Sequence, residues 1–169
     1  MLPRTPGSGY AGQMVSCLLV LMLAAAAFAG DDAKGPDARR EKCPVCGMFV
    51  SLFADWNATI VFTDSTRAVF DGSKDMFKYV LELKTYNAAQ SSDTIKTIVV
   101  KDYVSKKETN ALTAFYVIWS DIYGPMGNEP IPFEKEADAK RFLQEHHGKK
   151  ILNFRDITPE LLYALDNPG

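Results

Sequence analysis

From residue 58 onward, the apolar positions fall into short runs that alternate between strand-like and helix-like spacing. Ala58–Phe62 (Ala-Thr-Ile-Val-Phe) is β-branched and apolar, as a buried strand is. Thr63-Asp64-Ser65-Thr66 is turn chemistry, and Arg67–Phe70 reads as a second short strand. Asp71 or Ser73 can cap a helix running through Leu83, because Met76, Phe77, Tyr79, Val80 and Leu83 recur at helical spacing. A polar loop, Asn87–Asp93, then leads to a third strand over Ile95–Tyr103.

The order repeats in the second half. Leu112–Trp119 is apolar and β-branched, Ser120–Glu129 is a loop rich in Gly and Pro, and Pro130–Phe133 is short and extended. Lys135–His147 has the composition of a helix, with Ala137, Phe142 and Leu143 on its apolar side and Gly148 in the position just past its end. Ile151–Phe154 is the closing strand, and Thr158–Leu165 forms a final short helix. Strand-strand-helix-strand used twice predicts an α+β fold of two ββαβ units, over residues 42–104 and 105–169. Neither half carries much core alone, so the two are expected to pack on each other.

The chain before residue 42 has a different character. The apolar run Leu18–Phe28 has the length of a signal h-region, Ala27-Phe28-Ala29 is an A-x-A cleavage pattern, and Asp31 and Asp32 follow at once. The run is short for a membrane span. Residues 1–29 therefore read as a cleaved signal peptide, with Met14 as an alternative start. Cys17 precedes the run, and Gly30 stands where a lipidated cysteine would be. The expected product is periplasmic and soluble, with no stable membrane anchor. Residues 30–41 are charged, contain Gly35 and Pro36, and read as a flexible linker.

Charge and composition narrow the function classes. The formal net charge is −2 and no basic stripe is present, which argues against a nucleic-acid partner. No Ser–His–Asp order, Gly-rich phosphate loop or H-E-x-x-H occurs, and the carboxylates read as scattered surface groups. The reading is a binding protein rather than an enzyme.

The chemistry concentrates in Cys43-Pro44-Val45-Cys46-Gly47-Met48. Two thiols separated by two residues can face one small ion, and thiolate and thioether donors select Cu(I) over hard cations. Gly47 allows a tight turn and keeps side-chain bulk off the ion. Met48 brings a neutral sulfur beside Cys46. Three other readings of C-x-x-C compete. Structural zinc wants four ligands, and only the adjacent His146 and His147 stand out as further donors. A redox pair belongs between a strand and a helix start, which is not the pattern here. A disulfide within C-x-x-C is strained. A second candidate donor is Met126 in Gly124-Pro125-Met126-Gly127, flanked by glycines and away from any apolar stripe. Met76 lies at core spacing, His146 and His147 read as exposed helix-end residues, and Trp56 and Trp119 read as packing in the core or beside the site.

Several of these segments together resemble the NosL family of copper-binding accessory proteins found beside nitrous oxide reductase genes. They are Cys-Pro-Val-Cys-Gly-Met-Phe-Val (43–50), Phe-Asp-Gly-Ser-Lys-Asp-Met-Phe-Lys-Tyr (70–79), Ala-Phe-Tyr-Val-Ile-Trp-Ser-Asp (114–121), Gly-Pro-Met-Gly (124–127) and Ile-Pro-Phe (131–133). The resemblance implies two ββαβ units of the kind also seen in an organomercurial lyase. It implies Cu(I) binding and copper supply to an exported copper enzyme, with nitrous oxide reductase the first candidate. Cys46 and Met48 are the ligands it implies, with Cys43 and Met126 as further candidates. Members of the family are typically lipoproteins, and the lipidation cysteine is not found here. The alternatives are a thiol–disulfide oxidoreductase acting on copper-site cysteines, and a copper or mercury scavenger.

Overall fold

Burial alternates along the first β-branched run, as the sequence pattern requires. In β1 (Ala58–Phe62), Ala58, Ile60 and Phe62 are buried while Thr59 and Val61 are partly exposed. The computed structural model describes residues 40–168, all within one compact unit. The expected signal segment, Cys17 and the linker up to residue 39 lie outside the described residues. Among the described residues, no helix is long and apolar enough to cross a membrane.

β1 pairs antiparallel with β2 (Arg67–Phe70) on one side and β3 (Ile95–Lys101) on the other, and β4 (Glu108–Asn110) extends the sheet to the order β2-β1-β3-β4. The fourth strand has too few apolar residues to show in the sequence pattern. Between β2 and β3 the chain forms α1 (Ser73–Leu81) and a single further turn, α2 (Leu83–Tyr86). The predicted single helix breaks at Glu82, whose φ of −119° and ψ of 36° leave the helical region.

The second half repeats the topology. β5 (Phe115–Ile118) is central, β8 (Ile131–Phe133) and β9 (Lys150–Asn153) flank it antiparallel, and α3 (Glu136–Glu145) connects the flanking strands. The Gly/Pro-rich loop between β5 and β8 carries a small ribbon, β6 (Tyr123–Gly124) with β7 (Gly127–Asn128). The closing helix α4 (Pro159–Asp166) starts on Thr158, whose side chain accepts from the Leu161 N–H at 3.3 Å.

Packing explains why β5 lacks a polar face. Tyr116 and Ile118 belong to a core with Ile60, Phe62, Phe70, Met76, Phe77 and Leu162, while Val117 belongs to another with Ile131, Phe133, Ala139 and Phe142. The strand is covered on both faces, so its apolar run is continuous. The α1 residue Phe77 meets Tyr116 edge-on at 5.0 Å, which buries α1 between the two sheets. At the end of α3, the left-handed position is taken by His147 (φ 53°) rather than Gly148. Gly148 has a different reason to be glycine: a Cβ there would lie 2.6 Å from Cγ1 of Val117.

Candidate metal centre

The cysteine segment is a closed loop. Lys42 and Phe49 form an antiparallel bridge, Cys43 N–H donates to the Met48 carbonyl at 2.8 Å, and Gly47 N–H donates to the Cys43 carbonyl at 2.9 Å. The reversal needs a residue at positive φ, and Gly47 supplies it at 78°. Glu41 is already anchored, its carbonyl accepting from Val50 N–H at 3.0 Å and its carboxylate pairing with Arg67 at 2.8 Å.

The loop presses its two thiols against the start of α1. Cys43 Sγ donates to Asp75 Oδ2 at 3.3 Å, and Cys46 Sγ donates to Asp71 Oδ2 at 3.4 Å. One donor atom from each of Cys43, Cys46, Asp71 and Asp75 lies within 4.8 Å of the others. Both carboxylates are 0% exposed, and the second oxygen of each, Asp71 Oδ1 and Asp75 Oδ1, is buried with no hydrogen-bond partner among the described residues. Buried carboxylate oxygens are rarely left unsatisfied unless something else occupies their lone pairs.

Electrostatics keep the two thiols protonated in the metal-free protein. Burial pushes the Cys46 thiol up to about 11, and the neighbouring Asp75 carboxyl pushes the same way. Burial raises Cys43 further still, with Asp75 and Asp71 adding to it. Burial also raises the Asp75 carboxyl above the ordinary carboxylate range. Opposing these effects, the backbone amides of Cys46 and Val45 face Cys43, and that of Met48 faces Cys46. Those amides favour thiolate, and a cation would complete the shift.

The sequence profile of the NosL family matches residues 37–162. The chain belongs to the NosL family. The fold of this NosL-family chain is similar to that of the copper chaperone NosL from Shewanella denitrificans, with a TM-score of 0.60 and 22% identity over 72% of this chain and 92% of that one. The apo-NosL protein from Achromobacter cycloclastes, solved by solution NMR, matches with a TM-score of 0.44 and 25% identity over 66% of this chain and 93% of that one. No curated protein sequence matches the chain significantly.

Within this NosL-family chain the sequence-derived donors fall in three places. Cys43 and Cys46 meet in the cluster, one buried and the other partly so. Met48 is partly buried in the same loop, with its carbonyl on Cys43 N–H. Met126 is partly buried in the turn of the β6–β7 ribbon, where Gly127 takes φ 81°. That turn is tied to α1, because Lys74 Nζ donates to the Met126 carbonyl. Met76 is fully buried in the core. His146 lies away at the end of α3, bonded to Asp121 at 3.0 Å. Trp119 packs on the same core as Cys46, in the left-handed backbone region at φ 55°, a strained setting for a bulky side chain.

Asp71 and Asp75 do not stand out as site residues in the sequence. There Asp71 or Ser73 reads as a helix cap and the carboxylates read as surface groups. The N-cap residue is Gly72, without a side-chain cap bond, and Asp71 instead accepts from Cys46. The one local signal is their position between the apolar pairs Val69-Phe70 and Met76-Phe77; in the structure every residue of Val69–Phe77 is buried. The two carboxylates stand beside the thiols as donors that the histidine-based count did not include, and the four together could hold a metal ion.

Proposed function

We propose that this NosL-family protein is a copper-binding chaperone that holds Cu(I) and delivers it to an exported copper enzyme, nitrous oxide reductase first. Cys46 and Cys43 supply thiolates, Met48 supplies a neutral thioether from the same loop, and Met126 supplies another from the ribbon. The observation that carries the reading is the convergence of both thiols in one cluster with two buried carboxylates, each of which has one oxygen on a thiol and the other without a partner among the described residues. Family membership and the fold shared with the Shewanella copper chaperone support the choice of copper. Thioether donors hold a soft ion without adding charge, which favours release to a client ligand.

The oxidoreductase alternative fits the thiols poorly. A catalytic redox cysteine needs a lowered pKa, and both thiols here are raised. A second ion does have support in the donor set: two cysteines and two aspartates match the count and ligand types of a four-coordinate divalent cation such as Zn(II). Two thiolates and two carboxylates around Cu(I) would leave excess buried negative charge, which favours the neutral sulfurs over the carboxylates as further Cu(I) donors.

Export follows in this reading from the segment Leu18–Phe28 with Ala27-Phe28-Ala29, and the mature protein begins near Gly30 without lipid. Deleting the gene under copper limitation tests delivery. The client enzyme should be exported but poor in copper, and added copper should partly restore it. A fully metallated client in the deletion strain would reject delivery and leave storage as the better reading.

A further inference from the structure

Glu129 is 1% exposed and joins α1, which carries Asp75, to the β6–β7 ribbon, which carries Met126. Its Oε2 accepts from Lys74 N–H at 2.8 Å and from Ser73 Oγ at 3.3 Å, in the first turn of α1. Its Oε1 accepts from Met126 N–H at 3.3 Å, in the turn of the ribbon. Lys74, fully buried, returns the connection: its Nζ donates to the Met126 carbonyl and pairs with Asp166 at 2.8 Å. Both backbone polar groups of Met126 are therefore fastened to α1. The next residue of that helix is Asp75, which accepts from Cys43.

The fit around Glu129 is close. A Cβ at Gly124 would lie 2.4 Å from its Cγ, and one at Gly72 would lie 2.9 Å from its Oε1. The ribbon has only two strand pairs, Tyr123–Asn128 and Gly124–Gly127, too few to hold a position alone. A buried carboxylate is expensive, and an apolar side chain of similar size would fill the space more cheaply. What the carboxylate adds is registration, since each oxygen binds a different element.

We propose that Glu129 is a positioning residue that sets the placement of Met126 toward the Cys43–Cys46 cluster, and so sets the affinity for Cu(I). The proposal rests on the reading of Met126 as a copper ligand. Glu129→Gln isolates it, because an amide has nearly the same volume but its NH2 cannot accept, so one of the two tethers is lost. Cu(I) affinity is read at pH 8, where the Glu129 carboxyl is ionised and both oxygens accept, by competition with a chromogenic Cu(I) chelator for the mature full chain, Glu129→Gln, Met126→Leu and the double variant. X-ray absorption at the copper edge counts sulfur neighbours. Glu129→Gln should weaken Cu(I) binding about tenfold with loss of one sulfur neighbour, Met126→Leu should do the same, and the double variant should be no weaker than Met126→Leu. If Glu129→Gln does not fold, Glu129→Asp keeps both acceptors on a shorter arm and should show the same loss in smaller measure. The proposal is overturned if Glu129→Gln lowers the thermal midpoint without changing affinity or sulfur count, or if its effect persists in the Met126→Leu background. It also falls if Met126→Leu leaves affinity unchanged. The chaperone reading is judged separately by Cys46→Ser, whose retention of full Cu(I) affinity would reject the thiol site itself.

Discussion

The thiol of Cys43 donates to Oδ2 of Asp75 across 3.3 Å, although the two residues are 32 positions apart in the chain. The bond fastens the cysteine loop to the first turn of α1. It also means that a metal ion entering the site must displace a proton that a buried carboxyl already holds in place.

Metal binding should therefore depend steeply on pH. The Cys46 thiol is raised to about 11 by burial, and Cys43 is raised further, so both are protonated at neutral pH in the metal-free protein. Each thiol proton released on binding should increase apparent Cu(I) affinity about tenfold per pH unit. Chelator competition between pH 6 and 8 measures the slope. A flat profile would show that the thiols are not the ligands.

Ligand substitutions should separate sulfur chemistry from packing. Cys46→Ser should lower Cu(I) affinity by about a hundredfold or more, equivalent to ~2.7 kcal/mol. Met48→Leu keeps the volume and removes the donor, so affinity should fall about tenfold while the thermal midpoint stays nearly constant. Unchanged affinity in Met48→Leu would rule out its thioether as a ligand.

The two aspartates should discriminate between ions. Asp71→Asn and Asp75→Asn remove anionic oxygen donors while preserving shape. Zn(II) affinity should fall at least about tenfold, and Cu(I) affinity should change by less than about threefold. Parallel titrations of the two metals decide the point. Equal losses for both ions would make the carboxylates direct copper ligands.

Glu129 should tie apo-protein stability to pH. Burial pushes its carboxyl up to about 7, outweighing the Lys74 and Met126 amides that favour ionisation. Raised above an unfolded value near 4.5, it contributes stability in full below that pH and loses it as pH rises through 7. This part of the stability should be about 2 kcal/mol smaller at pH 7.5 than at pH 5.5, and Glu129→Gln should flatten the profile. Urea unfolding of the metal-free protein at the two pH values tests it. An equally steep profile in the Gln variant would place the titrating group elsewhere.

The strands Ala58–Phe62 and Arg67–Phe70 are legible in the residue order with the bounds they have in the structure, as is the approximate course of the helices and the remaining long strands. Strand and helix periods are local and survive wherever one face is buried, so residue order alone carries them. The soft donors were legible for the same reason, since Cys43, Cys46, Gly47 and Met48 are neighbours in the chain. Glu108–Asn110 was hidden because a three-residue polar strand takes its form from pairing with β3. The break at Glu82 and the left-handed His147 were hidden because no local rule places them there. The roles of Asp71, Asp75 and Glu129 arise from long-range packing. In the sequence they are ordinary acidic residues at a helix start and in a loop. Their chemistry follows from burial and from partners that lie 25, 32 and 55 residues away. Packing α1 between two sheets removed water from those carboxyls and left the thiols and backbone amides as their partners.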